Sequence, residues 1–404
     1  MSSTPSDPQG LDLATLASLP KVCLHDHLDG GLQATTLLEL AQEANYQLPA
    51  SSAQELEEWF RQAADSGSLA TYLQAFEHPV ALMQTEANLR RVAREHVLAL
   101  AADGVIYGEV RWAPELHTRQ GLSQGQALEA VAQGLMDGME QVAQAGGRIL
   151  VNQILCALRH RDQALETVKT ALAYRSLGVV GFDLAGPEDG HPVSSCQQAL
   201  DLAAEHFLPV TLHAGEAGGL SSIRQALLEG RALRLGHGVR ITEDMSFRPL
   251  GELDPEGILL PGADPSQEIL QLGEVAEAVK NRRIVLEVCP SSNLQTGAAQ
   301  RLEGLGKGSA FEPARTYAEH PVGLLLRAGF AVSINPDNRL MSATSMTREF
   351  RELAEHQGFG LADFFEVTSN ALLGAFCSHD DRQALLGQVQ AAYGQLLFPG
   401  RQEA

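Results

Sequence analysis

Four side chains of the kinds that bind zinc are spread along 404 residues, and each stands where an apolar run stops. His25 and His27 close Val22-Cys-Leu-His-Asp-His27, His213 follows Val210-Thr-Leu212, and Asp337 ends Ile334-Asn-Pro-Asp337. Three imidazole nitrogens and one carboxylate oxygen suit zinc, and a position left to water marks a catalytic site. Zinc brings the pKa of its bound water to about 7, which makes hydroxide available at neutral pH. Glu216, three residues after His213, can stay protonated when buried beside such a centre and can then protonate a substrate nitrogen. His237, between two glycines, can hydrogen-bond the attacking oxygen, and Asp337 can accept the proton of water as well as bind metal. The set predicts a zinc hydrolase with one Zn2+ per chain.

Taken singly, these signals have plain alternatives. A His-x-His pair arises by chance in a chain with 13 histidines, although residues two apart on a strand do face the same side. Glu216 could simply favour the positive end of a following helix. His237 could be a turn histidine, and Asp337 a turn aspartate after Asn335-Pro336. Their shared placement at strand ends carries the reading. Cys289 has no basic neighbour in sequence to stabilise a thiolate, and it reads as a packing residue.

Ligands this far apart in sequence converge only if their strands run parallel and share one edge. Eight candidate strands cover 22–24, 105–110, 149–155, 179–184, 209–212, 233–236, 284–288 and 330–334, all nearly continuous in apolar and β-branched residues. Such runs suit parallel strands covered on both faces. Amphipathic stretches such as 162–174 and 197–207 alternate with them. Ser222-Ile-Arg-Gln225 reads as a capping box that opens a helix, with Gly230 as its stop. The pattern predicts an α/β fold, a (β/α)8 TIM barrel, in preference to an open doubly wound sheet. Neither a G-x-G-x-x-G nor a P-loop follows any strand. About eighty residues after the first strand, with helical patterns at 54–63 and 69–83, read as an insertion over the barrel mouth. A Pro-, Gly- and Asp-rich segment at 247–267 after the sixth strand reads as a flap or a subunit contact. Residues 13–397 read as one domain between tails at 1–12 and 398–404.

The formal charge of −21, from 29 basic and 50 acidic residues, disfavours nucleic acid and anionic membranes as partners. No run of 18 apolar residues is present, and the first ten residues are polar and lack the pattern of a signal peptide. Five cysteines with no C-x-x-C spacing fit a reducing cytoplasm better than a disulfide framework. The oligomeric state is open at this level.

Seven motifs in order resemble the adenosine deaminase family of the amidohydrolase-type barrels. They are Pro20-Lys-Val-Cys-Leu-His-Asp-His-Leu-Asp-Gly30, Tyr107-x-Glu-Val-Arg111, Asp183-Leu-Ala-Gly186, His213-Ala-Gly-Glu216, Gly236-His-Gly238, Glu287-Val-Cys-Pro-Ser-Ser-Asn293 and Ser333-Ile-Asn-Pro-Asp337. The small cytidine-deaminase class, with its H-x-E and P-C-x-x-C motifs, is not matched. The resemblance implies zinc on His25, His27, His213 and Asp337, and catalysis by Glu216, His237 and Asp337. Glu216 would protonate purine N1, hydroxide would attack the adjacent carbon beside His237, and adenosine would become inosine with loss of ammonia, a step of purine salvage. The substrate, a purine nucleoside, would meet His27, Asp29 at the ribose 5′-hydroxyl, Gly186 at N3 and an apolar lid of Tyr72, Leu73 and Phe76.

Two residues depart from that pattern. Asn338 stands where many members carry a second aspartate, and its amide can still donate to N7, a pure acceptor. Arg339 stands where proline is frequent, and it can pair with a carboxylate or reach a phosphate. Adenine deaminases tend to carry glutamate in place of Asp29, and a carboxylate here would repel a 5′-phosphate. A nucleoside is therefore expected, with adenine or a modified adenosine as the alternative. A zinc amidase or phosphoesterase on the same barrel would act on an amide or ester and not on adenosine. A non-catalytic nucleoside-binding protein would bind adenosine and release no ammonia.

Overall fold

The computed structural model describes residues 11–65, 72, 74–250, 264, 266–301 and 311–398. Its strands are β1 (Lys21–His27), β2 (Val105–Trp112), β3 (Leu150–Leu158), β4 (Val179–Ala185), β5 (Thr211–Ala214), β6 (Arg234–His237), β7 (Met245–Pro249), β8 (Glu268–Leu272), β9 (Val285–Val288) and β10 (Val332–Ile334). Two parallel four-stranded sheets, β1-β2-β3-β4 and β10-β9-β6-β5, meet edge to edge. A parallel bridge between Asp26 and Asp337 joins β1 to the segment after β10, and one between Phe182 and Val210 joins β4 to the segment before β5. These two seams close the eight strands into a barrel, as the alternation of patterns predicts.

All eight expected strands are present, with no end displaced by more than three residues. The helices between them begin where side-chain oxygens can satisfy free N–H groups. Thr85 caps Glu86–Ala102, Ser123 closes a capping box with Gln126 at the head of Gln124–Gln144, and Ser345 caps Met346–Gln357. The expected box at Ser222 is not one. Gly219 is the cap of Leu220–Leu228, and Ser222 lies inside that helix with its hydroxyl turned to the Glu188 carboxylate. A buried acceptor offered Ser222 a better partner than the helix end did.

After β1, helices Ala34–Glu43, Ala53–Ala64 and Glu77–Leu82 form the expected insertion. Strands β7 and β8 pair as an antiparallel hairpin after β6. The expected flap falls largely on 251–263 and 265, outside the described residues. Among the described residues, no helix is long and apolar enough to cross a membrane.

The barrel interior is charged. Arg234 donates to Glu109 at 2.5 Å and to Glu287 at 2.7 Å, and Arg111 donates to Glu287 at 2.7 Å and to Asp183 at 2.9 Å. None of these five side chains is more than 1% exposed. Buried charges are tolerated when paired and fully hydrogen-bonded, and this ladder runs up the barrel to the histidines.

Candidate metal and catalytic centre

The His25 and His27 side chains leave β1 on one side, as the two-residue period requires. His25 Nε2 lies 3.3 Å and His27 Nε2 3.4 Å from Asp337 Oδ1, while His27 Nε2 and His213 Nε2 are 3.3 Å apart. Asp26, between the two histidines, faces outward and meets His96 Nε2 at 3.0 Å and Arg339 Nε at 2.9 Å. The carboxylate was thus the partner available to Arg339, and the pair ties the segment after β10 to β1.

The tautomers follow from what lies behind each ring. Glu287 can only accept, so His25 Nδ1, 3.1 Å away, carries the proton and Nε2 carries a lone pair. Asp183 Oδ2 lies 2.9 Å from His213 Nδ1 and orients that ring in the same sense. His25 Nε2 is buried and has no hydrogen-bond partner among the described residues. Lone pairs from three rings and a carboxylate oxygen, crowded within 3.4 Å contacts, repel one another unless a cation sits between them. The four side chains therefore fit a metal ion, with Glu287 and Asp183 as the outer carboxylates that commonly orient metal-binding histidines. Arg111 bridges those two carboxylates.

Asp337 and His237 both take positive φ, 62° and 61°, a strained conformation for residues with a Cβ. The surroundings enforce it at Asp337, whose N–H donates to His25 O at 3.0 Å and whose carbonyl accepts from His27 N–H at 2.7 Å. Burial opposes charge on Asp337, yet the His25, His237 and His27 rings packed against it hold its carboxyl far below the usual range. Burial drives His237 the other way, well below the ordinary imidazole value, with His25 adding to the effect.

Glu216 is 5% exposed, with Oε2 at 3.6 Å from His237 Nε2. Burial raises its carboxyl well above the usual value, and the charges of Asp337 and Glu188 raise it further. Glu188 also shapes the turn that carries it: its carboxylate accepts N–H bonds from Gly215 at 2.9 Å and from Glu216 and Ala217 at 2.8 Å each.

A cavity of about 410 Å³ opens over this cluster. Its walls include His27, Asp29, Tyr72, Phe76, Gly186, His213, Glu216, His237, Asp337 and Asn338. Asp29 Oδ1 and Asn338 Oδ1 are buried on these walls without hydrogen-bond partners among the described residues. Burial lifts the Asp29 carboxyl to about 6. Gly186 turns with φ +83°, which bares its backbone to the cavity. Gly30 has its own reason: a Cβ there would lie 2.0 Å from Asn338 Oδ1. Tyr72 and Phe76 rings stand 6.0 Å apart, and Tyr72 shares a hydrogen bond with Ser342 at 3.1 Å. Leu73 lies outside the described residues. The other expected catalytic and substrate residues line this cavity, His25 lies beneath it against Asp337, and Arg339 turns away to Asp26. The Cys289 thiol is fully buried, donates to the Glu287 carbonyl at 3.4 Å, and is pushed well up by burial.

Residue patterning alone did not single out Arg111, Asp183, Glu188, Glu287 or Asn293 for a role. For Arg111, Asp183 and Glu287, charged residues inside apolar strand runs were the available signal, because a charge in a covered strand needs a partner.

A profile of the adenosine deaminase family matches residues 20–392. Adenosine deaminase 1 of Streptomyces coelicolor is 46% identical over 379 residues, covering 93% of this chain and 88% of that one. The adenosine deaminase of Mycobacteroides abscessus is 43% identical over 380 residues, covering 94% and 96%. Among solved structures, the N6-methyl-AMP deaminase from Arabidopsis thaliana superposes with a TM-score of 0.73 at 25% identity, over 95% of this chain and all of that one. With the barrel, the ligand cluster and the acid beside it all in place along the matched span, the chain belongs to the adenosine deaminase family.

Proposed function

We propose that this protein hydrolyses adenosine and 2′-deoxyadenosine to inosine and 2′-deoxyinosine, releasing ammonia, with one zinc ion per chain. The observation that carries the reading is Glu216, a buried carboxyl beside His237 whose burial favours its protonated form, on the wall of a cavity that can take a purine nucleoside. Relatives of 42–46% identity that bear the name adenosine deaminase support it.

His25, His27, His213 and Asp337 would hold the ion. Bound zinc supplies a Lewis acid that makes water a nucleophile at neutral pH. Glu216 gives its proton to N1 of the purine, which leaves C6 electron-poor. As the oxygen of water bonds to C6, His237 stabilises that oxygen and Asp337 accepts the proton released. That proton passes to the exocyclic amine, the C6–N bond breaks, and ammonia departs while the hydroxyl on C6 becomes a carbonyl and returns its proton to Glu216. The Gly186 N–H serves N3, the Asn338 amide donates to N7, and Asp29 accepts from the ribose 5′-hydroxyl. Tyr72, Leu73 and Phe76 cover the base, and His27 faces the substrate as well as the ion.

With its carboxyl lifted only to about 6, Asp29 is an anion at neutral pH and would repel a 5′-phosphate. This favours a nucleoside over a nucleotide. Five free, buried cysteines support the cytoplasm as its compartment. An absorbance assay of the zinc-loaded protein on adenosine, 2′-deoxyadenosine, adenine and AMP, side by side, tests the proposal. Turnover of the two nucleosides is expected. Turnover of AMP or adenine with none of adenosine would overturn it.

A further inference from the structure

A residue that does not line the cavity decides which nitrogen of His237 carries the proton. Asn293 is fully buried in the helix Pro290–Thr296 that follows β9. Its Oδ1 accepts the backbone N–H of Cys289 at 3.3 Å. A peptide nitrogen can only donate, so the amide cannot be turned the other way round. The atom 3.0 Å from His237 Nδ1 is therefore Nδ2, a donor. His237 Nδ1 must answer with its lone pair, which leaves the ring proton on Nε2, the nitrogen 3.6 Å from Glu216 Oε2. The donor is itself well held. Glu349, buried beneath this helix, accepts from the Ser291 backbone N–H at 3.2 Å and also binds the Ser291 hydroxyl.

We propose that Asn293 is a positioning residue that locks His237 as the neutral Nε2–H tautomer, so that His237 donates a hydrogen bond to the oxygen adding to the substrate. In this state neither ring nitrogen has a lone pair to spare. His237 then cannot take the proton of the attacking water, and that task falls to Asp337. The inference rests on the proposed deamination in assigning His237 to the reacting carbon, while the tautomer itself follows from the hydrogen bonds alone.

Zinc-loaded protein carrying isotope-labelled histidine reports the tautomer through its two ring-nitrogen shifts, with His237 assigned by difference from His237→Gln. Protonated Nε2 and bare Nδ1 are expected. Asn293→Asp keeps the shape and the bond from Cys289 but offers His237 only acceptors, so the proton moves to Nδ1. Its kcat on adenosine should fall about a hundredfold, with KM changed by less than about threefold. Asn293→Ala leaves a ring that samples both tautomers and should lose only about tenfold. A purely structural role predicts the opposite order, since truncation disturbs packing more than an isosteric change does. A wild-type His237 protonated at Nδ1, or an Asn293→Asp kcat within about twofold of wild type, overturns the proposal. Failure of the wild type to act on adenosine would count against the substrate and leave the ring-nitrogen result to decide the tautomer.

Discussion

In the proposed reaction Glu216 is the acid, and burial, Asp337 and Glu188 all favour the protonated form of its carboxyl. Glu216→Gln keeps the shape and removes the transferable proton. Turnover should drop by at least about a hundredfold while metal content, measured by elemental analysis, stays at the wild-type value. Near-normal turnover would remove Glu216 from the donor role. The proposed task of Asn338 is smaller, a single hydrogen bond to the base. Asn338→Ala should raise KM about two- to tenfold, the usual worth of one neutral hydrogen bond, and change kcat less. An unchanged KM would show that the amide does not meet N7.

Elements supply the rigidity that such side chains need. Strand β1 works on both faces: His25 and His27 point in, and Asp26 points out to Arg339 and His96, which pins the segment bearing Asp337 and Asn338. Glu349 does the same for the segment after β9, where it takes hydrogen bonds from Ser291 and Thr344. Burial lifts its carboxyl from 4.5 to about 7, against the pull of those hydrogen bonds. A carboxyl raised in the folded state stabilises the fold fully below pH 4.5 and loses that contribution as pH climbs through about 7. The amount at stake is about 3 kcal/mol at most. Denaturant unfolding of wild type and Glu349→Gln across this window should therefore show wild type losing stability relative to the variant as pH rises. Parallel curves would mean that Glu349 does not titrate there.

At the scale of the molecule, a large apolar core wraps a barrel whose interior is charged. The core does not depend on the four proposed metal-binding side chains for its contacts, but relief of their mutual repulsion does depend on a cation. Chelation should abolish turnover and lower Tm by several degrees, with the far-ultraviolet circular dichroism retained at room temperature and activity restored by added zinc. Loss of the folded spectrum on chelation would show instead that the ion is needed to hold the barrel together.

Local patterns were enough to predict the barrel and to pick out the candidate ligand set. Continuous β-branched runs mark covered parallel strands, and the chemistry of His25, His27, His213, Glu216, His237 and Asp337 is intrinsic to those side chains and their positions at strand ends. Two things were decided only by the tertiary structure. Ser222 left its expected cap for Glu188, and Arg339 chose Asp26, because each partner lies on another element. The supporting carboxylates, Asp183 and Glu287, and the amide of Asn293 act through hydrogen bonds across the barrel, spanning 30 to 262 residues of sequence. No local periodicity encodes such a contact. It exists only once closure of the sheet brings the strand ends together, and those contacts set which nitrogen of His25 and of His237 holds a proton.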